Sequence, residues 1–204
     1  MTREEKQQIK AKEKECKELI KKVGRKYGMK NKLCVLFFTH ENCFISIIYD
    51  LNPLNNLLMY RVGIKSLDYD DIYWDVIDMP EIKKQPLSFR ALGVTAIASI
   101  PVIENTVRPL GNNPEETINS ILDEITEKVK KITKDIDLKF LEYIGDNKME
   151  NVKRLFTVYI HMQRYDEARK LIEECMKDGY EDHFRSHGKT ILELALDYLN
   201  KNNL

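Results

Sequence analysis

Apolar side chains are sparse over the first 26 residues, and those that occur (Ile9, Cys16, Leu19, Ile20, Val23) thicken toward the second half of the stretch. Thr2 with Glu5 has capping-box spacing, and Glu13/Lys17 and Glu18/Lys22 have the favourable i,i+4 order. The pattern predicts a helix to about Lys26 whose first turns are solvated, with Gly24 and Gly28 as places for it to end. The period then changes. Residues 33–38 and 44–49 are continuous apolar runs separated by Thr39-His40-Glu41-Asn42-Cys43, which predicts a hairpin. Asn52-Pro53-Leu54-Asn55-Asn56 is turn chemistry, because Pro fixes φ and Asn tolerates the left-handed region. After it Leu58, Tyr60, Val62 and Ile64 alternate with Leu57, Met59, Arg61 and Gly63 as a third strand.

Residues 57–101 are the centre of the pattern: that strand, an acidic corner (Asp68, Asp70, Asp71), an aromatic helix over 72–79 and a fourth strand over 89–100. In the fourth strand Leu92, Val94, Ala96, Ala98 and Ile100 form one face, and Pro101 and Pro109 close the strand region. Asn113-Pro114-Glu115-Glu116 is a helix start, followed by the stripe Ile118, Ile121, Leu122, Ile125, Val129 and Ile132, which predicts a helix that covers the sheet. From Asp137 the pattern is helical, ending with a capping box at Thr190 and Glu193. The reading is an α+β domain over 1–136, with an antiparallel sheet of about four strands packed by helices, and an all-helical C-terminal extension over 137–204.

Within that extension, 152–176 resembles one tetratricopeptide helical hairpin, with Leu155, Phe156, Tyr159, Ala168 and Ile172 near that repeat's apolar positions. A shift of about 34 residues finds no second copy, and stacked repeats need neighbours to bury their faces.

Composition narrows the class. The chain has 33 basic and 33 acidic residues, so no global field draws it onto nucleic acid or anionic lipid. No stretch has the ~18 apolar residues of a membrane span, and the charged N-terminus reads as neither signal peptide nor anchor. Cys16, Cys34, Cys43 and Cys175 have no CxxC spacing and read as reduced thiols of a cytoplasmic protein. A chain of 204 residues buries enough surface to fold without metal or disulfide, and no cofactor is expected.

Candidate chemistry is confined to a few places. Clustered Asp68, Asp70 and Asp71 have the donor chemistry of a magnesium-dependent hydrolase or nuclease, but Asp70 and Asp71 at a helix start read first as capping groups, which need no metal. His183 and His187 share a face if 182–187 is helical, but no third zinc ligand accompanies them. His40 and His161 receive no assignment. Gly188-Lys189-Thr190 lacks the earlier glycine and the preceding strand of a phosphate-binding loop. Trp74, with Tyr69 and Tyr73 beside Arg61 and Arg90, reads first as core and second as an interface.

Tyr60-Arg61-Val62-Gly63-Ile64-Lys65, Leu67-Asp68-Tyr69-Asp70-Asp71-Ile72-Tyr73-Trp74 and Pro86-Leu87-Ser88-Phe89-Arg90 together resemble a bacterial family of uncharacterised α+β proteins, some of which stand beside toxins as immunity proteins. The resemblance covers residues 17–136 and implies a non-enzymatic binding role. The first expectation is therefore a cytoplasmic protein that binds a protein partner through Asp68, Asp70, Asp71, Tyr73, Trp74 and Arg90, in the manner of an immunity-type inhibitor. The alternatives are the metal-dependent hydrolase and a self-assembling scaffold whose charged N-terminal helix makes homo-oligomer contacts.

Overall fold

The computed structural model describes the chain except Ala91, Val94, Asp146, Asn147 and His183, and for Lys148 the backbone alone. The residues form two compact units, each assembled from two stretches: Met1–Ile64 with Ser99–Lys134, and Lys65–Ala98 with Asp135–Leu204. The sequence pattern suggests one boundary, at 136/137, whereas the chain passes between the units at 64/65, 98/99 and 134/135.

The first unit is built on an antiparallel sheet of five strands in the order β1 (Lys30–Lys32), β2 (Val35–His40), β3 (Cys43–Asn52), β4 (Leu57–Ser66) and β5 (Ile100–Pro109). Register follows the alternation of apolar residues: Leu36 pairs with Ile47 and Phe38 with Ile45 across the β2–β3 hairpin. Helix α1 (Arg3–Lys26) has the expected capping box at Thr2 and Glu5 and lies against β1 and β3. Its approach to β2 is close enough that a Cβ at Gly24 would meet the Leu36 side chain at 2.9 Å. Helix α4 (Pro114–Ile132) is capped by Asn113 and lies beside α1, with its apolar stripe buried. The Tyr27 hydroxyl donates to Asp123 of α4 at 2.9 Å.

The sheet of about four strands gains one more, and one expectation is corrected here. The short strand β1 adds a fifth strand to the sheet. The strand expected over 89–100 is absent among the described residues, and the strand that pairs with β4 is Ile100–Pro109 instead. Val94, placed on that expected strand, lies outside the described residues. The β4–β5 ladder has two register shifts, between Tyr60 and Val62 and between Val62 and Gly63, and Val62 pairs with Ile103 between them.

The second unit is helical. Helix α2 (Leu67–Val76) begins five residues earlier than the pattern suggests, because Ser66 caps it by accepting from the Asp68 N–H at 3.3 Å. It is followed by α3 (Leu87–Arg90), α5 (Ile136–Ile144), α6 (Lys148–His161) and α7 (Tyr165–Lys177), by a two-residue hairpin of β6 (Arg185–Ser186) and β7 (Lys189–Thr190), and by α8 (Ile191–Lys201). The extension therefore contains a small hairpin as well as helices. Helices α6 and α7 form the hairpin expected over 152–176, with Leu155, Phe156, Ala168 and Ile172 buried; α2 packs on α6 and α8. Trp74, at the middle of this unit, has 0% exposure. Among the described residues, no helix is long and apolar enough to cross a membrane.

Candidate functional site

The acidic corner folds into three separate charge clusters, because successive residues of α2 point in different directions. Asp70 turns inward, where the Lys65 ammonium lies 2.9 Å from its Oδ1 and 2.8 Å from its Oδ2. The contact to Oδ2 lies outside hydrogen-bonding geometry and is coulombic. Both side chains are fully buried. Two backbone groups complete the cluster: Lys65 donates to the Ile97 carbonyl at 2.6 Å, and the Ile97 N–H donates to Asp70 Oδ1 at 2.8 Å. Burial pushes the Asp70 carboxyl up and the Lys65 amine down, and each partner's charge opposes the other's shift.

Asp71 turns the other way and pairs with Arg90 at 2.5 Å. The Arg90 guanidinium lies 5.2 Å from the centre of the Trp74 ring, a cation–π distance, and Trp74 Nε1 donates to the Thr95 carbonyl at 2.8 Å. The segment containing Thr95 and Ile97 is thus held to α2 by side chains, which take the backbone groups that a strand would have offered to a neighbour. Three backbone groups of Thr95 and Ile97 are engaged in this way, and Leu87–Arg90 are helical, where the pattern suggests a strand over 89–100.

Asp68 belongs to the third cluster. His161, the last residue of α6, directs Nε2 at Asp68 Oδ2 at 3.3 Å and Nδ1 at both oxygens of Asp137, on α5, at 3.1 and 3.2 Å. Asp137 also accepts from the buried Tyr69 hydroxyl at 2.5 Å. The Tyr69 ring packs edge-on against His161 and Phe140, at centroid distances of 5.4 and 4.8 Å. The hydrogen bond to Asp137 raises the His161 pKa above the ordinary imidazole value; burial opposes this, and the charges of Asp137 and Asp68 add to it. Burial pushes the Asp137 carboxyl up, but the hydrogen bonds from His161 and Tyr69 outweigh it and hold the group below its usual range.

The six residues expected at a partner-binding site therefore separate. Asp70, Tyr73 and Trp74 are buried, and a partner laid on the surface would not reach them. Tyr73 stacks on Phe156 at 6.5 Å, and burial, then the charges of Asp182 and Tyr180, raises its phenol pKa far above the ordinary value. Asp68 and Asp71 keep 46% and 39% of their side chains exposed, and Arg90 keeps 18%. The capping role expected for Asp70 and Asp71 belongs to Ser66. Asp68, Asp70 and Asp71 are drawn to three different side chains, His161, Lys65 and Arg90, and among the described residues no three His, Cys, Asp or Glu side chains converge as metal ligands would.

His187 is in the turn of the β6–β7 hairpin, at φ +50°, with Nε2 3.3 Å from Asp78. Residues 185–186 are extended, so the helical face expected to carry His183 and His187 is not formed; His183 itself lies outside the described residues. Gly188, at φ +76°, completes the hairpin turn, and Thr190 caps α8.

Sequence reasoning missed Lys65, Tyr69, Asp137 and His161 as members of these clusters. Lys65 carried a local signal: it follows an alternating apolar strand and precedes Asp70 by five residues. Asp137 and His161 carried none, since they are separated by 24 residues and meet only through helix packing. No protein-family profile, no curated protein and no solved structure matches this chain.

Proposed function

We propose that this protein is a non-enzymatic binding protein that engages a protein partner through the exposed carboxylates of α2, Asp68 and Asp71, as an immunity-type inhibitor acting in the cytoplasm would. The observation that carries the reading is the state of His161, whose two ring nitrogens both face carboxylates. A general base needs a lone pair aimed at substrate, and a metal ligand needs one aimed at the ion. His161 offers neither. Lys65 and Asp70, the other pair with shifted acidity, are sealed from solvent and neutralise each other. What α2 presents outward is the exposed part of the Asp68 and Asp71 carboxylates, each paired on one side with His161 or Arg90, on a helix whose other side is fixed by Trp74, Tyr69 and the Lys65–Asp70 pair. Charge held on a rigid element steers association and fixes register with a complementary basic surface.

The test is co-purification of the tagged chain from its own source, comparing the wild type with Asp68→Lys/Asp71→Lys, each checked by circular dichroism for an intact fold. One stoichiometric partner, bound more weakly as salt increases and lost in the double variant, is the expected outcome. A partner held equally well by the double variant would move the binding surface away from α2.

A further inference from the structure

Helix α5 is short and packs on α6. Asp135, at its N-cap, makes no side-chain capping bond, and Gly145 ends it at φ +54°. Its buried side chains are Phe140 and Ile144, while Leu138 and Tyr143 on the opposite side are exposed. What ties its first turn down is Asp137, which reaches His161 of α6 and Tyr69 of α2 at once. Asp68 of α2 holds the other nitrogen of the same ring.

We infer that His161 is a proton-operated clasp that seats α5 against α2 and α6. An imidazolium carries a proton on each ring nitrogen and can donate to Asp137 and Asp68 together; a neutral imidazole carries one, so its other nitrogen turns a lone pair toward a carboxylate. Loss of the proton therefore costs one of the two bonds and converts attraction into repulsion on that side. Among the described residues, the titratable groups facing His161 from the elements packed on it are Asp68 and Tyr69 of α2 and Asp137 of α5. His161 also terminates α6, where the negative end of the helix dipole favours the charged ring. The ring keeps 27% of its side chain exposed, so protons reach it without unfolding. On deprotonation the first turn of α5 loosens, and the Tyr69 and Phe140 rings beneath it become accessible.

The test is amide hydrogen exchange of the full chain between pH 5.5 and 8.5, corrected for intrinsic rates, with the His161 imidazole resonance followed in the same samples. The His161 midpoint is expected above the ordinary value of ~6.5, and α5 protection is expected to fall by about tenfold through that midpoint, the loss of one charge-assisted hydrogen bond. In His161→Gln the α5 protection should be low and independent of pH. Should that variant fold poorly, Asp68→Asn, which removes only the more exposed carboxylate, should lower the His161 midpoint and carry the α5 transition down with it. Protection of α5 that does not follow the His161 titration, or a His161 midpoint at or below the ordinary value, would overturn the inference.

Discussion

Lys65 and Asp70, five residues apart, form a fully buried ion pair with Nζ 2.9 Å from Oδ1, and together they clamp both backbone groups of Ile97. Lys65 is the penultimate residue of β4 and Asp70 lies in the first turn of α2. Because the desolvation cost is already met in the folded chain, removing one member strands the other's charge.

Lys65→Met or Asp70→Asn alone is expected to lower stability by about 3–5 kcal/mol in urea unfolding. Lys65→Met/Asp70→Asn should cost less than the sum of the two, since no charge is left behind. A strictly additive double variant would show that the two groups do not interact.

Trp74 is completely buried and donates to Thr95. Trp74→Ala should cost about 3–5 kcal/mol through the cavity it leaves. Trp74→Phe keeps much of the apolar volume but leaves the Thr95 carbonyl without that donor, at a cost of about 1–3 kcal/mol. A loss below that of Trp74→Phe for the alanine variant would contradict the packing.

The Asp137–His161 pair gives stability a bounded pH window. The His161 pKa is raised by Asp137, so its contribution is complete below the unfolded value of ~6.5 and is lost as pH rises through the folded one. The Asp137 pKa is lowered on balance, so its contribution is present above the unfolded value of ~3.9 and is lost as pH falls through the folded one. The stability difference between the wild type and Asp137→Asn should therefore be largest near about pH 5 and shrink on both sides. A difference that grows between pH 5 and pH 8 would contradict the assignment.

A fragment of residues 1–134 would contain α2 but lack α5, α6 and α8. Tyr69 would lose Phe140 and Asp137, and Tyr73 would lose Phe156. Trp74 fluorescence in this fragment should shift to the red of the full chain's, because the helices against which α2 packs are absent. An unshifted spectrum would mean that residues 65–98 keep their structure without the C-terminal helices.

Asp68, Asp70 and Asp71 each face a different partner, His161, Lys65 and Arg90. Magnesium, manganese or calcium at millimolar concentration should leave the melting temperature unchanged, since only an ion that binds the folded chain preferentially raises it. A saturable rise abolished by Asp68→Asn would bring the carboxylates back as metal ligands.

Much of this fold was legible because periodicity and capping are local. Thr2 with Glu5, Asn113 before Pro114, and Thr190 with Glu193 mark helix starts through atoms within four residues of one another, and the α4 stripe follows from the 3.6-residue period alone. The alternation in 57–64 likewise places Leu58, Tyr60, Val62 and Ile64 on a buried face. Local pattern was thus enough for an antiparallel sheet packed by helices, a helical stretch from 137 onward and a buried Trp74. The nature of the acidic corner emerges from long-range packing alone. Residues 89–100 had strand-like alternation, but an isolated strand satisfies none of its backbone groups, and here Lys65, Asp70 and Trp74 reach those groups first. The fates of Asp68 and Asp71 depended on His161 and Arg90, which approach through packing rather than through sequence spacing. No local pattern encodes such a meeting, because charge pairing is set by three-dimensional distance and desolvation rather than by spacing along the chain.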